Sequence, residues 1–450
     1  MNAMTDTNTL LSTEDRGVLR FITAGSVDDG KSTLIGRLLF DSKGIFADQL
    51  AAISRAKNKR TVGDTIDLSL LTDGLEAERE QGITIDVAYR YFATPSRKFI
   101  VADTPGHEQY TRNMVTGAST ADVAIVLVDV TRVTFTEGAD GLQATLLAQT
   151  KRHSAIASKL GLPSVIFAVN KMDLVDFDTA KFKATETAVR ALAESLNIAD
   201  IHVLPISALA GDNVVTLSAR TPWYAGAPLL TLLEEMPSRA ERSEAAHVLG
   251  FRFPVQLVAR HDGHKADDFR GYMGRIESGS VSVGDEVQVL PSGQTAKVSR
   301  LLLLDQELQT AHTGQCITLV VDRDIDVSRG DQFALAGDTH APRAVRSLTA
   351  DICWLDADAL NPARKYWLKN TTRTVHAKVQ AVKQVLDIQT LSHGEDTTSV
   401  RMNDIARIDL VLAQPLIADL YAENRATGSF ILIDTATHQT AAAGMIVAAQ

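Results

Sequence analysis

Apolar and polar residues follow one another along this chain in two regimes, and the change between them falls near Pro237. From about residue 18 to residue 236, short apolar runs alternate with amphipathic stretches, the pattern of strands and helices in a mostly parallel, doubly wound sheet. Val18, Leu19, Phe21 and Ile22 make the first run, and Leu34, Ile35, Leu38 and Leu39 then recur at the i, i+3, i+4 spacing of one helix face. Residues 87–94 and 99–102 flank Pro95-Ser96-Arg97-Lys98 and predict an antiparallel hairpin at the sheet edge. The remaining strands, 123–130, 165–169 and 202–206, are expected to be parallel, with helices over 142–160 and 179–196.

Beyond Pro237 a charged stretch from Arg239 to Glu244 leads into short strands separated by Asp, Gly, Ser and Pro turns. Strands at 251–258, 270–276, 286–290 and 295–302 predict a small antiparallel barrel, and those near 348–354, 375–385, 405–412 and 430–434 a second β-domain. The expected organisation is a polar tail (1–17), an α/β domain (18–237), a linker (238–246) and two antiparallel β-barrels (247–340 and 341–450).

Composition narrows the class. A 450-residue chain that is 45% hydrophobic and 22% charged, with no long apolar run, is globular, and no membrane is expected as a partner. Residues 1–17 are polar and lack the apolar core of a secretory signal, so the cytoplasm is the expected location. Cys316 and Cys353 are too few for a disulfide scaffold or a metal site and are expected to be buried thiols. A net charge of -10 argues against a broad nucleic-acid-binding surface, and no nucleic-acid partner is expected.

The chemistry begins at Gly25-Ser26-Val27-Asp28-Asp29-Gly30-Lys31-Ser32, a complete phosphate-binding loop between a strand and a helix, continued by Thr33. Its glycines let successive N–H groups turn inward at phosphate oxygens, and the helix start adds its positive end. Lys31 would reach the β- and γ-phosphates, and Ser32 would hold Mg²⁺ through its hydroxyl. Asp103-Thr104-Pro105-Gly106 ends a strand, where the carboxylate can bind Mg²⁺ through water and the Gly106 N–H can sense the γ-phosphate. Thr84, within Gly82-Ile83-Thr84-Ile85, is the candidate switch residue, closing on Mg²⁺ and γ-phosphate in the triphosphate state.

Asn170-Lys171-Met172-Asp173 closes a later strand at the carboxyl edge of the sheet, where open α/β folds bind ligands. The Asp173 carboxylate can accept from guanine N1–H and the exocyclic amine, a donor pair that adenine does not present. Asn170 can bridge to the neighbouring loop, the Lys171 stem can lie against the base, and Ser207-Ala208-Leu209 can offer a backbone N–H to guanine O6. Four motifs in this order point to a GTP-binding P-loop domain.

The sequence here resembles the translation-factor-like GTPases, with His107 after Asp-Thr-Pro-Gly where Ras-like proteins carry glutamine. Gly25 to Leu39 and Asp73 to Phe92 are similar to one branch in particular, the large GTPase subunit of bacterial sulfate adenylyltransferase, and the resemblance covers nearly the whole chain. Elongation factors carrying aminoacyl-tRNA usually read Gly-His-Val-Asp-His-Gly-Lys in the loop, from which Ser26 and Asp29 depart. The resemblance implies a hetero-oligomer with a smaller catalytic subunit that transfers the AMP of ATP to sulfate, while this chain hydrolyses GTP to drive it. It implies a catalytic set of His107, Lys31 and Thr84, with His107 orienting the attacking water and Val27 and Ile83 forming an apolar gate.

His261-Asp262-Gly263-His264 spells a phosphate-gripping motif of other nucleotidyltransferases, but it lies in a polar loop between strand patterns and is read as a loop. No second Gly-Lys pair follows, so the C-terminal kinase domain of some relatives is not expected. Two other readings stay open from sequence alone: a factor delivering aminoacyl-tRNA, and a GTP-gated scaffold with negligible hydrolysis.

Overall fold

The computed structural model describes residues 17–42, 86–107, 111–138, 141–238, 241–242, 250–260, 269–387, 393–394 and 399–449. The chain divides into two compact units, Met1–Ser243 and Glu244–Gln450.

In the first unit a six-stranded sheet is built from β1 (Val18–Ala24), β2 (Ala88–Ala93), β3 (Lys98–Asp103), β4 (Val123–Asp129), β7 (Ser164–Asn170) and β8 (Asp200–Pro205), in the order β2-β3-β1-β4-β7-β8. Between β4 and β7 in sequence, β5 (Thr134–Gly138) and β6 (Gly141–Thr145) pair with each other as a separate hairpin. Only β2 runs antiparallel, against β3, while β3, β1, β4, β7 and β8 pair in parallel. Every residue of β4 and β7 is buried, as both faces of a parallel sheet require when helices cover them, which is why these strands read as unbroken apolar runs. The helices are α1 (Lys31–Asp41), α2 (Thr111–Thr120), α3 (Ala148–Lys159), α4 (Thr179–Ser195) and α5 (Leu229–Glu235). Leu34, Ile35 and Leu38 of α1 are packed with Phe21, Phe99 and Ile125 of the sheet in one core.

One expectation fails here. Residues 142–145 are strand, and the helix begins only at Ala148. The run Thr134-Phe135-Thr136-Glu137 prefers extended backbone, and residues 142–145 pair alongside it from Gly141, itself at φ +108°. Pairing thus overrides the helical preference of the Leu-Gln-Ala run, and α3 follows Leu147, an N-cap position with no side-chain cap.

The second unit is two closed six-stranded antiparallel barrels. The first contains β9 (Phe253–Arg260), β10 (Arg270–Arg275), β11 (Ser280–Ser282), β12 (Glu286–Leu290), β13 (Thr295–Leu303), β14 (Gln306–Leu308), β15 (Thr310–His312), β16 (Cys316–Val321) and β17 (Gln332–Leu335). Its ring runs β12-β17-β9-β10-β16-β13 and closes through β12–β13 around Phe251, Phe253, Tyr272 and Phe333. The second contains β18 (Arg343–Trp354), β19 (Lys365–Asn370), β20 (Arg373–Leu386), β21 (His393–Gly394), β22 (Ile405–Ala418), β23 (Ser429–Asp434) and β24 (Thr440–Ala449), its ring β19-β23-β24-β18-β22-β20 closing through β19–β20. Trp354, Tyr366, Leu368 and Phe430 centre its core. Closure leaves neither ring an open edge. Cys353 is buried, but Cys316 is exposed on the first strand position of β16, so the expectation of two buried thiols holds for one only.

Arg252 joins the two barrels. Its side chain is fully buried, with Nη1 donating to Asp338 at 2.9 Å and Nε to Asp419 at 3.2 Å, and the guanidinium also reaches the His340 carbonyl. Asp419 in turn accepts from Thr427 Oγ1. Removing one member of such a group strands the opposite charge in a dry interior. Arg252→Ala is therefore expected to lower unfolding stability by about 3 kcal/mol, read from the shift of urea denaturation of the second unit. A loss within about 0.5 kcal/mol, the range of ordinary surface substitutions, would show that Asp419 and Asp338 find water instead.

Candidate functional site

The carboxyl ends of four adjacent strands meet at one edge of the sheet. Register places Thr23 of β1 beside Asp103 of β3, and Asp129 of β4 beside Asn170 of β7. The polar residues that sequence singles out after each apolar run are thereby brought together at the edge where doubly wound sheets bind ligands.

The loop Gly25 to Gly30 curls between β1 and α1. Asp28 takes φ +67° and Gly30 φ +94°, and a Cβ on Gly30 would lie 2.4 Å from Asn170 Nδ2, so this position admits only glycine. Side chains hold the loop's carbonyls: Lys31 Nζ donates to Gly25 O (3.0 Å) and Ser26 O (2.8 Å), and Asn170 Nδ2 to Asp29 O (2.7 Å). Burial lowers the Lys31 pKa while the carboxylates of Asp103, Asp29 and Asp28 oppose that shift. Thr33 is half-buried in the first turn of α1.

Ser32 Oγ donates to Asp103 Oδ2 at 3.2 Å, and Thr23 Oγ1 donates to Asp103 Oδ1 at 3.3 Å. With its proton committed to Asp103, the Ser32 oxygen keeps lone pairs for a hard cation, and the two groups fit a Mg²⁺ shell completed by phosphate and water. Thr104 and Pro105 are buried, with Thr104 Oγ1 donating to Thr23 O at 2.6 Å. Gly106 lies against the loop so closely that a Cβ there would stand 2.5 Å from Lys31 Nζ and 2.7 Å from Gly25 O. His107 follows it with its side chain exposed.

On the other side, Asn170 Oδ1 accepts from Ala208 N at 2.9 Å, so this one side chain ties the phosphate loop to the Ser207-Ala208-Leu209 turn. Ser207 N donates to Asp212 O (3.3 Å), which leaves the Leu209 N–H as the donor of that turn suited to a base carbonyl. Lys171 sits at φ +62° with Nζ on Asp129 Oδ2 at 2.7 Å. Among the described residues Asp173 Oδ1 is buried without a hydrogen-bond partner, an acceptor with its desolvation cost uncompensated until a donor arrives. Thr84 and Ile83 lie outside the described residues, as do His261 and His264.

Four residues here escape a motif search. Arg37 of α1 donates to the carbonyls of Ala208 (3.4 Å) and Leu209, holding that turn from behind. Asp129 pairs Lys171, and Gln149 Nε2 donates to Gly106 O at 3.2 Å beside His153 Nε2 at 3.1 Å. Burial, helped by the nearby Lys31 and Arg152 charges, pushes the His153 pKa down to about 3, so this imidazole is neutral. The only sequence signal for Asp129 and Gln149 is a polar residue just past an apolar run.

A phosphate loop, an aspartate-ended β3 and an Asn-Lys-x-Asp turn on a parallel sheet, followed by two antiparallel barrels, define a GTPase of the translation-factor class. Residues 16–238 match the family described as the Elongation factor Tu GTP binding domain, and residues 347–447 that described as GTP-eEF1A C-terminal domain-like. The solved GTPase-like domain of S. cerevisiae Ski7, bound to GTP, aligns over 96% of this chain and 97% of its own at TM-score 0.50 and 16% identity, which speaks for the fold alone. "Sulfate adenylyltransferase subunit 1" of Cellvibrio japonicus is 47% identical over 96% of this chain and 87% of the relative, and that of Teredinibacter turnerae 47% identical over 99% and 91%. The chain belongs to the sulfate adenylyltransferase subunit 1 family, GTPases that form part of an ATP sulfurylase. The bifunctional enzyme NodQ of Rhizobium meliloti is 48% identical over 96% of this chain, which spans 64% of that relative. No helix among the described residues is long and apolar enough to cross a membrane.

Proposed function

We propose that this chain binds GTP with Mg²⁺ and hydrolyses it to drive adenylyl transfer on a separate, smaller catalytic subunit in the cytoplasm. There a sulfate oxygen attacks the α-phosphorus of ATP, pyrophosphate leaves, and adenosine 5'-phosphosulfate forms. The sulfate–phosphate anhydride is high in energy, so its synthesis from ATP runs uphill and gains from a second hydrolysis. The observation that carries the choice of GTP is the partnerless, buried Asp173 Oδ1, which asks for the donors that guanine presents. Mg²⁺, held by Ser32, by Thr84 and through water by Asp103, would neutralise charge between the β- and γ-phosphates. Lys31 would neutralise the same oxygens, the Gly106 N–H would report the γ-phosphate, and His107 would orient the attacking water.

The loop residues that depart from the aminoacyl-tRNA carriers support this reading over tRNA delivery. Asp29 Oδ2 accepts the residue-26 backbone N–H at 2.5 Å, so the departure at position 29 is built into the loop's own hydrogen bonding. A single phosphate loop supports the division of labour. The isolated chain is expected to release no pyrophosphate from ATP and sulfate; with the smaller subunit present, GTP is expected to raise that release while its own hydrolysis accelerates. Pyrophosphate release by the isolated chain would refute the division of labour, and protection of aminoacyl-tRNA from hydrolysis would establish the other reading.

A further inference from the structure

The turn that leaves β4, Asp129-Val130-Thr131-Arg132, belongs to no nucleotide motif, yet it touches both halves of the site. Asp129 caps it, accepting from Thr131 N (2.9 Å) and Thr131 Oγ1 (2.6 Å), and spends its other oxygen on Lys171. Arg132, at the far end of this short 3-10 turn, reaches the phosphate loop. Its Nη1 donates to Val27 O at 3.0 Å and lies 3.4 Å from Asp29 Oδ1, while Asp29 Oδ2 accepts from Ser26 N. The Asp29 side chain is fully buried.

In a planar trans peptide the C=O and the following N–H point in opposite directions. Drawing the Val27 carbonyl toward Arg132 therefore turns the Asp28 N–H to the other side of the same peptide. Asp28 holds a left-handed φ, a conformation that costs a residue with a Cβ energy and that a restraint on the preceding peptide helps to keep. We propose that Arg132 is a positioning residue for nucleotide binding: clasped to Asp29, it holds the Val27–Asp28 peptide so that the Asp28 N–H serves as a phosphate donor. This rests on the phosphate-loop reading above.

Asp29 is faced by Lys31, Arg132 and Asp129, the last neutralised by Lys171. Burial raises its pKa, and the Lys31 charge, the Ser26 N–H and Arg132 each pull it back. Deleting Arg132 leaves the upward shift less opposed, so the carboxyl gains a proton at higher pH than in the parent protein. A protonated Asp29 is a poorer acceptor for Ser26 N–H, and binding would weaken as pH falls.

The test is binding of GDP and of GTP to the full chain with Arg132→Ala and Arg132→Lys. Arg132→Ala is expected to weaken both nucleotides about tenfold, the scale of one charge-assisted hydrogen bond, raising KM for GTP while kcat changes by less than about threefold. Its affinity should also fall more steeply than the parent's as pH drops, since the less opposed carboxyl takes up its proton at higher pH. Arg132→Lys should restore the parent's pH profile by keeping a cation beside Asp29, and only part of the affinity, since one ammonium replaces a planar fork. Should Arg132→Ala also lower the melting temperature, the Arg132→Lys profile carries the same comparison. Unchanged nucleotide affinity in Arg132→Ala overturns the inference alone, as does an affinity loss with the parent's pH dependence and no rescue by lysine. A parent protein that takes up neither GDP nor GTP overturns the phosphate-loop reading itself.

Discussion

Asp173→Asn is expected to cost GTP affinity by about 10⁴-fold and to move the preference of the site toward xanthine nucleotides. The substitution keeps the size of the side chain and replaces one acceptor with a donor. Asp173 Oδ1 is buried with no partner among the described residues, and its demand falls on the ligand. Guanine meets that demand with N1–H and the exocyclic amine, and against an amide one of these donors meets another donor. Xanthine carries a carbonyl where guanine carries the amine, and the mismatch is repaired. Titrating GTP, ATP and xanthosine triphosphate against both proteins checks this. Equal binding of ATP and GTP by the parent, or GTP affinity untouched in Asp173→Asn, would remove Asp173 from base recognition.

His107→Ala is expected to slow GTP hydrolysis about 10³-fold and to leave GTP affinity within about threefold. The phosphate groups keep Lys31, Ser32 and Asp103, which have bonds of their own in the loop: Lys31 rests on Gly25 and Ser26, and Ser32 on Asp103. What is lost is an exposed side chain directly after Gly106, whose own carbonyl is held by Gln149. If hydrolysis drives sulfate activation, the same variant with the smaller subunit should lose GTP-stimulated pyrophosphate release while that subunit's GTP-independent turnover persists. Phosphate from GTP and pyrophosphate from ATP are followed together. Normal hydrolysis would make His107 structural, and hydrolysis lost with full GTP-driven synthesis would refute the coupling.

The contrast between residues that sequence reveals and those it hides has a physical basis. The fold class was legible because β4 and β7 are buried on both faces and read as unbroken apolar runs, whereas the barrel strands alternate. β24 was missed: its Thr-Ala-Ala-Ala-Gly start has little strand preference, and it is used because the Phe430 ring lies over Gly444, where a Cβ would approach within 2.2 Å. The helix expected over 142–160 began late because pairing between β5 and β6 decided the state of residues 142–145. The motif residues of the site could be found because phosphate and base recognition each use a contiguous turn. Arg132, Asp129, Gln149 and Arg37 could not, because each acts on a loop more than thirty residues away in sequence and no local motif names that partner.

The ionic joint around Arg252 also decides where the chain can be cut. A fragment boundary between the barrels, near Asp338, would leave a fully buried guanidinium in one piece and the Asp419 carboxylate in the other, each facing water across a surface shaped for the other. Neither half would be a sound expression unit, and in a calorimeter the barrels should melt as a single endotherm rather than two. A boundary ahead of Gly250 keeps Arg252, Asp338 and Asp419 in one polypeptide, and that fragment is the one to carry forward when the barrels are studied apart from the nucleotide site.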